Sequence, residues 1–123
     1  MPMPPKPNPD GALPVDRILR LIGLGVRSRG VVVGVDRVRD AAKGGKLALA
    51  VVAADASRNS LEKLLPLLNA RRVNFIEVPS AAELGAVAGR DQTAAVGVLD
   101  PQLANGIIGL TRTGPGRAPE EGV

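Results

Sequence analysis

Apolar residues first recur at Val15, Ile18, Leu19, Ile22 and Val26, the three-and-four spacing of a helix that buries one face. Asp16 is placed to cap or enter this helix, which the pattern carries to about Ser28, with Arg17, Arg20 and Arg27 mostly on the other face. Gly23 and Gly25 are poor helix formers, and close packing against a neighbour is the expected reason for them. Arg29-Gly30 ends the helix, and the β-branched run Val31–Val33 predicts a strand. Gly34 then turns the chain into a second helix running to about Lys43, with Asp36 in its first turn and Gly44-Gly45 as its terminator. Leu47–Ala53 is an apolar, valine-containing run suited to a buried strand. A third helix from about Asn59 to Arg71 turns Leu61, Leu64, Leu65 and Leu68 inward. Pro66 inside it predicts a kink or a break, because proline lacks the amide hydrogen. Asn74–Val78 predicts a strand, Pro79-Ser80 the cap of a helix through about Ala88, Thr93–Val98 a fourth strand, and Asp100 or Pro101 the start of a last helix to about Leu110.

Helices alternating with short buried strands imply an α/β fold, a three-layer α-β-α sandwich around a four-stranded mixed sheet. The length of 123 residues suits one domain. The expected organisation is a flexible proline-rich arm over 1–14, the α/β domain over 15–110 and a loose tail over 111–123. No repeat at solenoid periods is visible.

Composition narrows the function by what is missing. The chain has no histidine, cysteine, tryptophan or tyrosine, and Phe75 is its only aromatic residue. Without histidine or cysteine, the common triads, thiolate nucleophiles and zinc sites cannot be built. No closely spaced carboxylate pair stands out to replace them. The expectation is therefore no catalytic residue, no metal, no cofactor and no small-molecule substrate. A single ring also argues against readers that stack RNA bases on a sheet. The longest uncharged runs, such as Leu47–Ala54, are too short to cross a bilayer, and no signal-peptide pattern opens the chain, so no membrane partner and a cytoplasmic location are expected.

The net charge of +4 is unevenly spread. Residues 1–46 hold nine basic side chains against four acidic ones, whereas residues 47–110 hold five against six. One-sided positive charge is the footprint expected of a phosphate-backbone partner. Within that half, Gly23-Leu-Gly25 lies inside a helical pattern with serine at position 28, so it is not a dinucleotide fingerprint. The junction at Gly34 carries more chemistry. A glycine there lets another backbone approach, the amides that follow sit at the positive end of a helix, and Arg37, Arg39 and Lys43 lie within three turns. The turn Val78-Pro79-Ser80 reads either as a plain helix cap or as part of a binding rim.

Three segments in this order resemble a known family. Gly30-Val-Val-Val-Gly34-Val-Asp-Arg-Val38, Leu49-Ala-Val-Val-Ala-Ala-Asp-Ala-Ser57 and Val78-Pro-Ser-Ala-Ala-Glu-Leu-Gly85 are similar to the kink-turn-binding ribosomal proteins, the superfamily named for ribosomal protein L-seven-Ae, and nearest to its small bacterial members. The third segment is the most specific, and the likeness spans about Val15 to Leu110. The resemblance implies a sandwich that grips sharply bent RNA. The start of the second helix enters the kink, here Gly34, Val35, Asp36, Arg37 and Asp40. The loop before the fourth helix meets extruded bases, here Val78, Pro79 and Ser80.

The function expected is a non-catalytic, ribosome-associated protein that binds structured RNA, ribosomal RNA foremost. Arg27, Arg29, Arg37, Arg39 and Lys43 would meet its phosphates. The alternative is a protein-interaction module on the same fold. It is motivated by Asp36 and Asp40, which as carboxylates accept hydrogen bonds but donate none.

Overall fold

A computed structural model describes residues 14–111. The arm therefore falls outside the described residues except for Pro14, and the tail except for Thr111. In chain order the elements are α1 (Val15–Arg27), β1 (Val31–Val33), α2 (Val35–Lys43), β2 (Leu49–Ala53), α3 (Arg58–Ala70), β3 (Phe75–Val78), α4 (Ala81–Val87), β4 (Ala95–Val98) and α5 (Pro101–Thr111). Every element predicted from the residue pattern is present, with ends shifted by one or two residues.

The strands lie in the order β1-β4-β2-β3. β4 runs antiparallel to both neighbours, pairing Val31 with Val98 on one side and Leu49 with Val98 on the other; β2 and β3 are parallel, with Ala50 opposite Phe75. Because side chains alternate along a strand, β2 feeds two cores at once. Leu49, Val51 and Ala53 join Ile18 and Ile22 of α1, Leu84 of α4 and Ile107 of α5; Ala50 and Val52 join Val38 and Ala42 of α2 with Leu64 and Leu68 of α3. Helices thus cover both faces and leave β2 and β4 wholly buried. Each fully buried leucine, isoleucine or valine adds about 1.5–3 kcal/mol to the stability of its layer.

Pro66 does not break α3, which continues through it to Ala70. Both Pro66 and Glu62, whose carbonyl loses its usual helical donor, are exposed. Water can satisfy that carbonyl, which removes most of the reason for a break. The two glycines of α1 differ. A Cβ on Gly25 would sit on Leu103 and Val31, so this one is required by close packing, while Gly23 has ordinary clearance from Val87 at 3.7 Å.

α1, α2, α3 and α4 end in the same way. The first residue past each cap donates three residues back, and the next donates five back: Arg29 to Val26 and Gly30 to Gly25, Gly45 to Ala42 and Lys46 to Ala41, Arg72 to Asn69 and Val73 to Leu68, Gly89 to Ala86 and Arg90 to Gly85. This closure puts one residue of each helix end in the left-handed region, at φ 65° for Arg29, 71° for Gly45, 58° for Arg72 and 78° for Gly89.

Candidate nucleic-acid interface

The direction of the strands sorts the connections onto two ends of the sheet. The ends of β1, β2 and β3 and the start of β4 share one end, tied by Gly34 N donating to Ala95 O (2.9 Å), Ala53 N to Ala94 O (2.8 Å) and Ala54 N to Val78 O (2.8 Å). The β1–α2 turn, the β2–α3 loop, the β3–α4 turn and the α4–β4 loop all emerge there.

At this end, Gly34 adopts φ 104° and ψ 151°, a region that essentially only glycine occupies. A Cβ built on it would meet nothing within 4 Å, so the backbone conformation, not crowding, demands glycine. Gly34→Ala is expected to cost about 1–3 kcal/mol of folding stability, read from chemical denaturation, since any other residue must strain or move the turn. Beyond the turn, α2 begins without a side-chain cap. Its first amides are therefore open to an external acceptor, at the positive end of the helix.

A groove of about 390 Å³ opens over this start, lined by Val33, Gly34, Val35, Asp36 and Arg37, by Ser60 and Lys63 of α3, and by Arg90 of the α4–β4 loop. Three cations thus face one carboxylate. Arg37, Lys63 and Arg90 are exposed, and none of their side chains is hydrogen-bonded or ion-paired among the described residues. The α4–β4 loop is locked to the Gly34 turn through one acceptor. The Ala95 carbonyl receives both Gly34 N and the hydroxyl of buried Thr93 (3.1 Å), while Thr93 N donates to Ala81 O (3.0 Å).

The structure redistributes the residues expected from sequence. Gly34, Val35, Asp36 and Arg37 come together in the groove, and Asp40 lies exposed one turn further along α2. Arg39 is half-buried on α2 with its Nε atom enclosed and unpartnered, so its stem packs instead of lining the groove. Val78, Pro79 and Ser80 share the same end of the sheet but follow the opposite edge strand, three strand intervals or about 14 Å from Gly34. None of the three lines the groove. Val78 is buried in the core. The start of α4 is already capped twice, by Ser80 Oγ accepting from Glu83 N (3.1 Å) and by Asp55 Oδ1 accepting from Ala81 N (2.7 Å). The Pro79 turn is thus built as a helix cap, with the Ala81 and Glu83 amides used internally.

Arg27, Arg29 and Lys43 stand apart from the groove. They lie where α1 and α2 finish, at the other end of the sheet, because β1 and α2 each run its full depth between them and the groove. Their apparent nearness to Gly34 came from sequence distance alone. Conversely, Ser60, Lys63 and Arg90 line the groove but carry no motif, and only the folding of α3 and of the α4–β4 loop brings them there. Among the described residues no cluster of three or more acidic, histidine or cysteine side chains is placed to hold a metal ion, and no helix is long and apolar enough to cross a membrane.

This fold has counterparts among known proteins. The profile of the Ribosomal protein L7Ae/L30e/S12e/Gadd45 family matches residues 16–107. The chain belongs to that family. The RNA-binding protein YlxQ of Bacillus subtilis (strain 168), a relative, is 34% identical over 90 residues, which are 73% of this chain and 90% of YlxQ. A protein of unknown function from Bacillus halodurans has a solved structure that superposes with a TM-score of 0.72 at 25% identity, covering 77% of this chain and 96% of its own. The Giardia lamblia 15.5kD RNA binding protein shares the fold, with a TM-score of 0.68 at 20% identity over 89% of this chain and 93% of its own. The match to the L7Ae/L30e/S12e/Gadd45 family takes in every residue of the groove, from Val33 to Arg90.

Proposed function

We propose that the groove at the start of α2 binds sharply bent, structured RNA without catalysis, and that the RNA is of the kink-turn kind found in ribosomal assemblies. The observation that carries this reading is the uncapped start of α2 beside the open space at the Gly34 Cα, with Arg37, Lys63 and Arg90 around the same groove. Open amides and cations supply what a tightly folded phosphate backbone requires, and recognition by shape needs no stacking rings. Asp36 would accept from base or ribose donors, as a carboxylate group does. Three phosphate contacts give affinity that falls with salt on a log–log slope of roughly two to three. The test is binding of the full chain to a bent and a straight RNA duplex at two salt concentrations. Tighter binding of the bent RNA at both is expected; equal and negligible binding of both ends the proposal.

The protein-interaction alternative rests on Asp36 and Asp40, both exposed on α2. It is separated by the same measurement on Arg37→Glu. RNA binding indifferent to that reversal favours a protein partner over RNA.

A further inference from the structure

The far end of the sheet holds most of the protein's unbalanced positive charge. There the starts of β1, β2 and β3 and the end of β4 meet, linked by Leu99 N donating to Gly30 O, Ala48 N to Val98 O and Ala50 N to Asn74 O. The last turns of α1 and α2 and the three loops that feed these strands carry Arg27, Arg29, Lys43, Lys46, Arg71 and Arg72. All six are exposed, and among the described residues none of their side chains makes a hydrogen bond or ion pair. The acidic residues at this end are Asp40 and Asp100, and Asp100 is engaged in capping α5 through Gln102 N at 2.9 Å.

A second observation makes this more than a solvated rim. Four helices use the same terminal motif, and in two of them the left-handed residue is glycine, Gly45 and Gly89, the choice that avoids Cβ strain. In the other two it is arginine, Arg29 and Arg72, and both stand on this end of the sheet. The fold therefore carries its two strained side chains where the positive charge collects. Strain retained where an unstrained residue serves the same motif elsewhere in the chain points to a use for the side chain.

We propose that this end is a second contact surface for nucleic-acid phosphate backbone, so that the protein holds two RNA segments at once, one in the groove and one here. The cations are spread over the width of four strands, about 14 Å, as a line of phosphates requires. The only exposed large apolar side chain among the described residues is Leu24, a single residue, whereas a protein partner would want an apolar centre depleted in lysine. The bridging role rests on the groove binding RNA, but the second surface does not.

The test uses the full chain, a donor-labelled bent RNA and an acceptor-labelled straight RNA duplex. The wild type is expected to give energy transfer between them. R29G/R72G relieves strain, so its melting temperature should be unchanged or higher, while its affinity for the straight duplex falls at least fivefold and its affinity for the bent RNA stays within twofold. K46E/R71E, at unstrained positions, should behave alike and guards against an effect of the glycines on folding. R37E/R90E should lose the bent RNA and keep the straight duplex. If bent RNA is not preferred but straight-duplex capture still fails in R29G/R72G, the groove reading falls and the second surface stands. The proposal is overturned if both rim variants hold the straight duplex as the wild type does, if straight and bent RNA compete for one site, or if poly-glutamate is captured equally well.

Discussion

Replacing Arg37 and Arg90 together by glutamate should weaken binding of a bent RNA about a hundredfold or more near 150 mM salt, and lower the salt slope by about two. The two side chains face the same groove from different parts of the chain, the start of α2 and the α4–β4 loop. Each reversal removes a phosphate contact and adds a repulsive charge beside Asp36. A factor of ten for each is only about 1.4 kcal/mol, well within the range for a charge-assisted contact. Neither side chain has a partner among the described residues to lose, so the melting temperature should hardly move. The measurement is fluorescence anisotropy with labelled RNA at about 50 and 200 mM salt. Undiminished affinity with an unchanged slope would remove the groove from consideration.

Gly85→Ala is expected to damage fold and binding together. A Cβ at this position would lie 2.7 Å from the backbone nitrogen and carbonyl carbon of Gln92, closer than real contacts allow. The obstacle is backbone, which cannot turn aside as a side chain can, so α4 and the 88–94 segment must separate. The expected loss is about 1–3 kcal/mol, or roughly 4–8 °C in Tm per kcal/mol for a domain of this size. The same segment carries Arg90, whose amide donates to the Gly85 carbonyl at 2.8 Å, and Thr93, which shares the Ala95 acceptor with Gly34. RNA affinity should therefore fall by more than lost stability explains, measured well below the variant's Tm. Gly23→Ala is the control. It also replaces a helical glycine, but its nearest neighbour stands 3.7 Å away, so stability should hold or rise through helix propensity.

The expectation that Gly23 and Gly25 share one reason shows how far pattern reading goes. A glycine inside a helical stripe signals something unusual, but the partner that decides the matter comes from far along the chain, Leu103 against Gly25 and nothing close against Gly23. Similarly, the Gly34 turn and Arg37 could be found because all their determinants are local: β-branched strand, glycine, helix start. Arg90 and Lys63 gave no such signal. Each is an isolated cation in an unremarkable polar stretch, brought to Gly34 only by helix packing and the return of the chain into β4.

Residue order alone was enough to specify the α/β sandwich and the nine elements of the described residues, because periods of two and of about 3.6, interrupted by glycine and proline, depend on near neighbours, and three short motifs carried the family resemblance. It also pointed to the α2 start. Which charges share a surface was left to the tertiary structure. Strand direction sends Arg27, Arg29 and Lys43 to one end of the sheet and Arg37 to the other, and strand order separates Pro79 from Gly34. Both are properties of long-range pairing, to which residues near in sequence hold no key.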